Sequence, residues 1–254
     1  MTSARRMDGK ICLITGGGTG IGRAAALQMA REGAKAVVIA GRREQEGEAV
    51  AAACRDLGSQ AVFLMTDVKR EAEVEAMVSG TLERFGRLDV AFDNAGFQER
   101  RGPIEDQDDA TYAPVFDTNV RGVFHCLRHQ IPAMRQAGGG AIVINASVSG
   151  IRNPNPGFAL YNASKAAVIA MMRTAAIENA ALGLRINAVA PGRVVTDMML
   201  AAGVGDVATV AAGLPLRRMG EPEEVAEAVL WLASDAASYI VGHVLAADGG
   251  FLAA

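Results

Sequence analysis

KICLIT (10–15) runs straight into TGGGTGIG (15–22), so a short apolar segment ends on a glycine-rich turn that opens an Ala-rich helical stretch near 20–32. A brief, continuously apolar run suits a strand covered on both faces. The turn carries G-x-x-x-G-x-G, from Gly16, Gly20 and Gly22, in place of the more usual G-x-G-x-x-G. Glycine permits a tight turn there and lets the backbone approach a pyrophosphate. Free N–H groups and the positive end of the helix dipole would then hold the anion.

The same alternation continues outward from this junction. AVVIA (36–40), AVFLM (61–65), LDVAFD (88–93), AIVIN (141–145), LRINAVA (184–190) and HVLAA (243–247) read as further strands. Helices are expected near 43–57, 70–85, 108–137, 158–182 and 222–234. Such a chain predicts an α/β fold with a doubly wound parallel sheet of Rossmann type, about seven strands, and helices on both faces. An α/β barrel is the rival at this length, but the strand count and the glycine turn after the first strand favour the open sheet. No repeat, low-complexity tract or linker interrupts 1–254, which predicts a single dinucleotide-binding domain. The stretch 192–220 mixes glycines with small apolar residues without a clear period, the pattern of a substrate-binding loop or lid.

Composition narrows the function. Half of the 254 residues are hydrophobic, enough for a sizeable core, and the formal charge is −3. That balance offers no basic stripe for nucleic acid or an anionic membrane surface. The apolar run after Arg5 and Arg6 is too short for a signal-peptide core, and nothing approaches a membrane span. Cys12, Cys54 and Cys126 form no C-x-x-C pair, as expected of free, buried thiols in a reducing, cytoplasmic setting. His125 and His129 have the spacing of two helical zinc ligands, but no H-E-x-x-H surrounds them, so no metal site is expected. Asp106, Asp108 and Asp109 suit a helix start.

Two further features carry chemistry. The second strand ends Ile39-Ala40-Gly41-Arg42-Arg43, with Gly41 where an acid would hold the ribose 2′-OH of NAD. Arg42, together with Arg43, could instead take a 2′-phosphate on its planar fork. NADP(H) is therefore expected, with NAD(H) as the alternative. Tyr161 and Lys165 lie one helical turn apart on one face. A tyrosine loses its proton near pH ~10, and a neighbouring ammonium lowers that value toward neutral acid–base work.

In order and spacing, TGGGTGIG (15–22), DV (67–68), DNAG (93–96), Asn119 in NVRG, Ser147, YNASK (161–165), PG (191–192) and DGG (248–250) resemble the compact, single-domain short-chain dehydrogenase/reductase family over residues 8–250. The resemblance implies that Tyr161 exchanges a proton with the substrate oxygen and that Ser147 hydrogen-bonds that oxygen. Lys165 would tune the phenol and hold the nicotinamide ribose, and Asn119 would steady a water chain from Lys165 to solvent. Cofactor contacts are implied for Gly16, Gly18, Thr19, Gly20, Ile21 and Gly22, for Asp67 and Val68 at the adenine, and for Asn94, Ala95 and Gly96. Pro191, Gly192, Val194 and Thr196 complete the set, with Thr196 at the carboxamide. Asp93 departs from the Asn-Asn-Ala-Gly common in the family, which could alter local hydrogen bonds.

Ser147 is preferred to nearby Ser149, because Ser-Val-x-Gly fits the family pattern. The segment VSGIRNPNPGFAL (148–160) is expected to form one wall of the substrate pocket, with Phe97, Phe158, Met198, Met199 and Leu200 as its apolar lining. The reaction implied is reversible hydride transfer between NADP(H) and a small-molecule secondary alcohol or ketone. Alternatives are an NAD(H)-dependent sugar or polyol dehydrogenase and a non-catalytic nucleotide-sensing regulator. A regulator of this fold usually loses the tyrosine or lysine, and both are present. A homotetramer is also implied, and the Ala-rich 166–182 stretch suits close helix packing between subunits.

Overall fold

The computed structural model describes residues 5–152, 156–202 and 206–254. Seven strands form one parallel sheet: β1 (Ile11–Thr15), β2 (Ala36–Gly41), β3 (Gln60–Met65), β4 (Val90–Asp93), β5 (Gly140–Asn145), β6 (Leu184–Pro191) and β7 (Val244–Ala247), in the order β3-β2-β1-β4-β5-β6-β7. The chain winds outward from β1 through β3, then crosses to β4 on the other side of β1. Between the carboxyl ends of β1 and β4 the winding reverses, and a doubly wound sheet opens a crevice there.

Why the strands read as unbroken apolar runs is visible in the two cores. Cys12 and Ile14 of β1, Val37 and Ile39 of β2, and Phe92 of β4 face one side; Leu13, Val38, Ala40 and Ala91 face the other. The period-two alternation is there, but each face meets a helical layer. Helices α1 (Gly20–Arg31), α2 (Glu44–Asp56) and α9 (Pro222–Ala233) cover the first; α3 (Glu71–Phe85), α5 (Gly122–Gln136) and α6 (Ala159–Asn179) cover the second. Cys12, Cys54 and Cys126 are buried free thiols, and burial pushes each of them up.

One expectation is corrected. The helix expected over 108–137 is three pieces: α4 (Asp109–Phe116), a π-helical turn over Asp117–Arg121, and α5. Asp108 starts α4 by accepting from Thr111 N at 2.8 Å. The π turn lets the chain spend an extra residue and aims Asn119 inward, and such turns recur at functional sites. The excursion 192–220 carries two short helices, α7 (Asp197–Ala201) and α8 (Val207–Ala212). A bridge between Val194 and Gly220 closes the excursion, and Met199, Leu214 and Met219 form its own small core.

Candidate active site

A cleft of ≈ 610 Å³ opens at the carboxyl ends of the central strands. Thr15 ties β1 to β4 there: its Oγ1 accepts from Asn94 N at 3.0 Å and Ala95 N at 3.1 Å. Asn94 Nδ2 donates to the carbonyls of Thr15 and Gly16, both at 3.1 Å. Asn145 Nδ2 donates to Asn94 Oδ1 at 2.9 Å, and Lys165 Nζ donates to Asn145 O at 2.6 Å. A continuous hydrogen-bonded line therefore joins the glycine turn to Lys165 across three strand ends. Asn145 was missed in the sequence; its only signal is one amide at the end of an apolar strand.

The glycine turn shows why its pattern is needed. Gly16 has φ +64°, where a side chain is strained. A Cβ on Gly22 would strike the Gly16 carbonyl oxygen and lie 2.5 Å from Asn94 Nδ2.

Tyr161 and Lys165 lie on the first turns of α6. Lys165 is buried, and burial pushes its ammonium down to about 8. That ammonium lies over the Tyr161 ring, 5.6 Å from its centroid. The phenol itself is raised from its ordinary value, chiefly by burial; the Ser147 hydroxyl hydrogen bond and the Arg193 charge pull it back, while Glu99 adds to the rise. Spacing alone predicts a phenol lowered by Lys165. Among the protein's own groups, desolvation wins, and the cation stacks on the ring face. Ser147 Oγ also accepts from Ser149 N at 3.1 Å, so of the two serines Ser147 is the one at the phenol.

Asn119 stands behind the cleft wall and is buried. Its Oδ1 accepts from Phe97 N at 2.7 Å, and its Nδ2 donates to Phe97 O at 2.8 Å and to Ser164 Oγ at 2.9 Å. The side chain is thus committed to holding the loop after β4 against α6. Glu99, a second residue missed in the sequence, does related work. Phe158 precedes α6 and has no side chain that can cap it; Glu99 Oε1, from the β4 loop, accepts from Tyr161 N at 3.0 Å instead. Nothing local in the sequence marks a cap supplied from 62 residues away.

At the other end of the cleft, Arg43 Nη2 donates to Thr19 Oγ1 at 2.5 Å and pairs with Glu46 at 3.7 Å, whereas exposed Arg42 joins no ion pair or side-chain hydrogen bond among the described residues. Asp67 Oδ1 accepts from Lys69 N at 3.1 Å. The Val68 carbonyl lies 3.0 Å from His125 Nδ1, which gives that histidine a structural partner, and His129 Nε2 lies 3.3 Å from Glu71. Thr196 caps α7, accepting from Met199 N at 3.3 Å.

One cleft thus gathers Gly16, Gly18, Thr19, Gly20, Ile21, Arg42, Arg43, Asp67, Val68, Asn94, Ala95, Gly96, Ser147, Tyr161, Lys165, Pro191, Gly192, Val194 and Thr196. Gly22 and Asn119 lie behind its wall. Phe97, Phe158, Met198 and Met199 line it as expected; Leu200 does not, being 54% exposed. Its place on α7 turns it outward while Met199 turns in. Pro154, in the expected 148–160 wall, lies outside the described residues.

Asp93, the departure noted in DNAG, is buried; Gln130 Nε2 donates to its Oδ1 at 2.8 Å, and its Oδ2 has no partner among the described residues. Burial pushes this carboxyl up to about 7 from 3.8. Between those two pH values the folded chain binds the proton that the unfolded chain has lost. Stability from this group is therefore full below about pH 4 and falls as pH rises through about 7. Asp93→Asn is nearly isosteric and cannot ionise. We expect it to raise Tm at pH 8 by roughly 5–10 °C and to change little at pH 4. Thermal melts showing the same shift at both pH values would contradict this account.

Comparison with known proteins agrees with the geometry. A family model described as enoyl-(acyl carrier protein) reductase matches residues 16–252. The chain is 39% identical over 248 residues to a short chain dehydrogenase/reductase of Aspergillus oryzae, covering 96% of this chain and 95% of that one. It is 42% identical over 247 residues to cis-4-hydroxycyclohexanecarboxylate dehydrogenase of Sinomonas cyclohexanicum, covering 96% and 97%. The crystal structure of levodione reductase superposes with a TM-score of 0.94 at 37% identity, covering 98% of this chain and all of the other. The chain belongs to the short-chain dehydrogenase/reductase family and is an NAD(P)-dependent oxidoreductase acting on CH–OH groups. Among the described residues no helix is long and apolar enough to cross a membrane.

Proposed function

We propose that this chain, as one dinucleotide-binding domain, interconverts a small secondary alcohol and its ketone with NADP(H), Tyr161 moving the proton. The observation that carries this is a single cleft with the glycine turn at one end and Ser147, Tyr161 and Lys165 at the other. The turn fits a dinucleotide: Gly16 adopts a positive φ, and no Cβ fits at Gly22, so backbone N–H groups can face a pyrophosphate. Gly16, Gly18, Thr19, Gly20 and Ile21 would hold that group, Asp67 and Val68 the adenine, and Asn94, Ala95 and Gly96 the middle of the cleft. Pro191, Gly192, Val194 and Thr196 would hold the nicotinamide end. When bound, the cofactor supplies or accepts the hydride at its nicotinamide ring.

The protein's own groups do the rest. Ser147 orients the substrate oxygen by hydrogen bonding. The Tyr161 phenol gives its proton to that oxygen during reduction and recovers it during oxidation. Lys165, fixed by Asn145 O, would hold the ribose hydroxyls and keeps a cation at the tyrosine. Asn119 and Glu99 are positioning residues, clamping Phe97 and the start of α6. Phe97, Phe158 and Met198 favour an apolar skeleton over a free sugar. The test is absorbance of the reduced nicotinamide with a panel of alcohols and ketones; cofactor binding without turnover of any of them would favour a sensor. A homotetramer and a cytoplasmic location complete the proposal, on the family resemblance and the free buried thiols.

The choice of NADP(H) rests on Arg42, whose fork is uncommitted, and on Gly41, which offers no carboxylate to a ribose hydroxyl. Arg42→Ala should weaken NADP(H) binding by about 10-fold or more and leave NAD(H) binding nearly unchanged. Fluorescence titration of the two reduced cofactors reads this directly. Equal affinities for both, unmoved by the substitution, would overturn the preference.

A further inference from the structure

Arg193 follows Pro191-Gly192 at the end of β6 and lines the cleft that Tyr161 also lines. Its backbone is pinned: Gly220 N donates to Arg193 O at 2.8 Å, and the neighbouring Val194 bridges to Gly220. The side chain is half-buried, and among the described residues its guanidinium makes no hydrogen bond or ion pair. Asp197, the acid lining the same cleft from α7, pairs with no cation among the described residues. Arg193 is near enough to Tyr161 for its charge to bear on the phenol, and near enough to Arg101 for the two cations to oppose each other. Arg101 is held in place by donating to Pro156 O at 3.2 Å. Arg100 also lines the cleft.

A half-buried guanidinium next to a second cation, with no carboxylate answering it among the described residues, is costly as structure alone. Its donors form a planar fork suited to a carboxylate. Apolar Phe97, Phe158 and Met198 line the same cleft.

We propose that Arg193 is a substrate-binding residue, and that the substrate is a secondary alcohol or ketone carrying a carboxylate on an otherwise apolar skeleton. This rests on the hydride-transfer reading above. The carboxylate pairs with Arg193 while the carbinol or carbonyl oxygen lies at Tyr161 and Ser147, so one end of the substrate fixes the orientation of the other. A solvated arginine would stand at the surface; this one is pulled down by burial instead.

The test compares two ketones of similar size, 4-oxocyclohexanecarboxylate and neutral 4-methylcyclohexanone. The readout is the ratio of their kcat/KM values, because any effect of Arg193 on the phenol is common to both and cancels. The wild type should favour the acid, and Arg193→Met should reduce the ratio by about 10- to 100-fold. Arg193→Lys, which keeps the cation without the fork, should retain part of the preference. Circular dichroism and cofactor binding check that each variant is folded; Arg193→Gln replaces the methionine variant if that one does not fold. An unchanged ratio overturns the proposal.

Calorimetric binding of cyclohexanecarboxylate to the protein with NADP⁺ separates the two readings. If neither ketone turns over, but this carboxylate binds the wild type and binds the variant at least 10-fold more weakly, the Arg193 site stands and the hydride-transfer reading is the one at fault. No binding, or binding unaffected by the substitution, overturns the site.

Discussion

Tyr161→Phe is expected to lower kcat by about 10²–10⁴-fold while leaving the fold and cofactor affinity close to wild type. The substitution removes one hydroxyl. The ring, the Lys165 ammonium 5.6 Å from its centroid, and the Glu99 bond to Tyr161 N all remain. What is lost is the phenolic proton at the Ser147 hydroxyl, so on the proposed mechanism the substrate oxygen would keep Ser147 to orient it and lose the acid that would protonate it. Because burial removes solvation from the phenolate, the wild-type phenol sits above its ordinary value among the protein's groups, with Ser147 and Arg193 opposing the rise. Single-turnover absorbance with saturating cofactor separates chemistry from binding. A folded, cofactor-loaded variant running at wild-type speed would remove Tyr161 from the mechanism.

Gly22→Ala is expected to act through the fold instead. One added methyl would meet the Gly16 carbonyl oxygen and stand 2.5 Å from Asn94 Nδ2. Neither neighbour can yield cheaply. Gly16 is backbone, and Asn94 Nδ2 bonds to both Thr15 O and Gly16 O while its Oδ1 accepts from Asn145. Overpacking of this kind typically costs about 1–3 kcal/mol. The same displacement pushes apart the turn that would cradle the pyrophosphate, so cofactor affinity should fall by more than about 10-fold, as several charge-assisted bonds weaken together. Thermal melts and cofactor titration check the two halves independently. An alanine variant that matched the wild type in both would show that the close approach at Gly22 is not needed.

The sequence and the structure overlap unevenly, and the residues show why. Strand ends and the glycine turn were legible because their demands are local: an apolar run must be covered, and a turn at φ +64° wants glycine. The π turn at Asn119 was not, because the apolar spacing of 108–137 is compatible with one long helix; Pro114 lies within α4 and does not mark the break. The direction of the Tyr161 shift was likewise hidden. Spacing places Lys165 on the same helical face but says nothing of how much protein surrounds the phenol. Leu200 and Met199 both fall in the segment expected to line the pocket, and only the short helix α7 turns one out and the other in.

By itself the sequence determined the alternation of strands and helices, the glycine turn, the Tyr161–Lys165 spacing and the family, because each depends on neighbours within a few residues or on motif order along the chain. Tertiary structure alone decided that Glu99 caps the tyrosine's helix, that Asn145 links Lys165 to the glycine turn, and that Arg193 faces the cleft without a carboxylate partner among the described residues. These depend on side chains from distant strand ends meeting in one low-dielectric crevice, where pairing and desolvation are set by three-dimensional neighbours rather than by spacing along the chain.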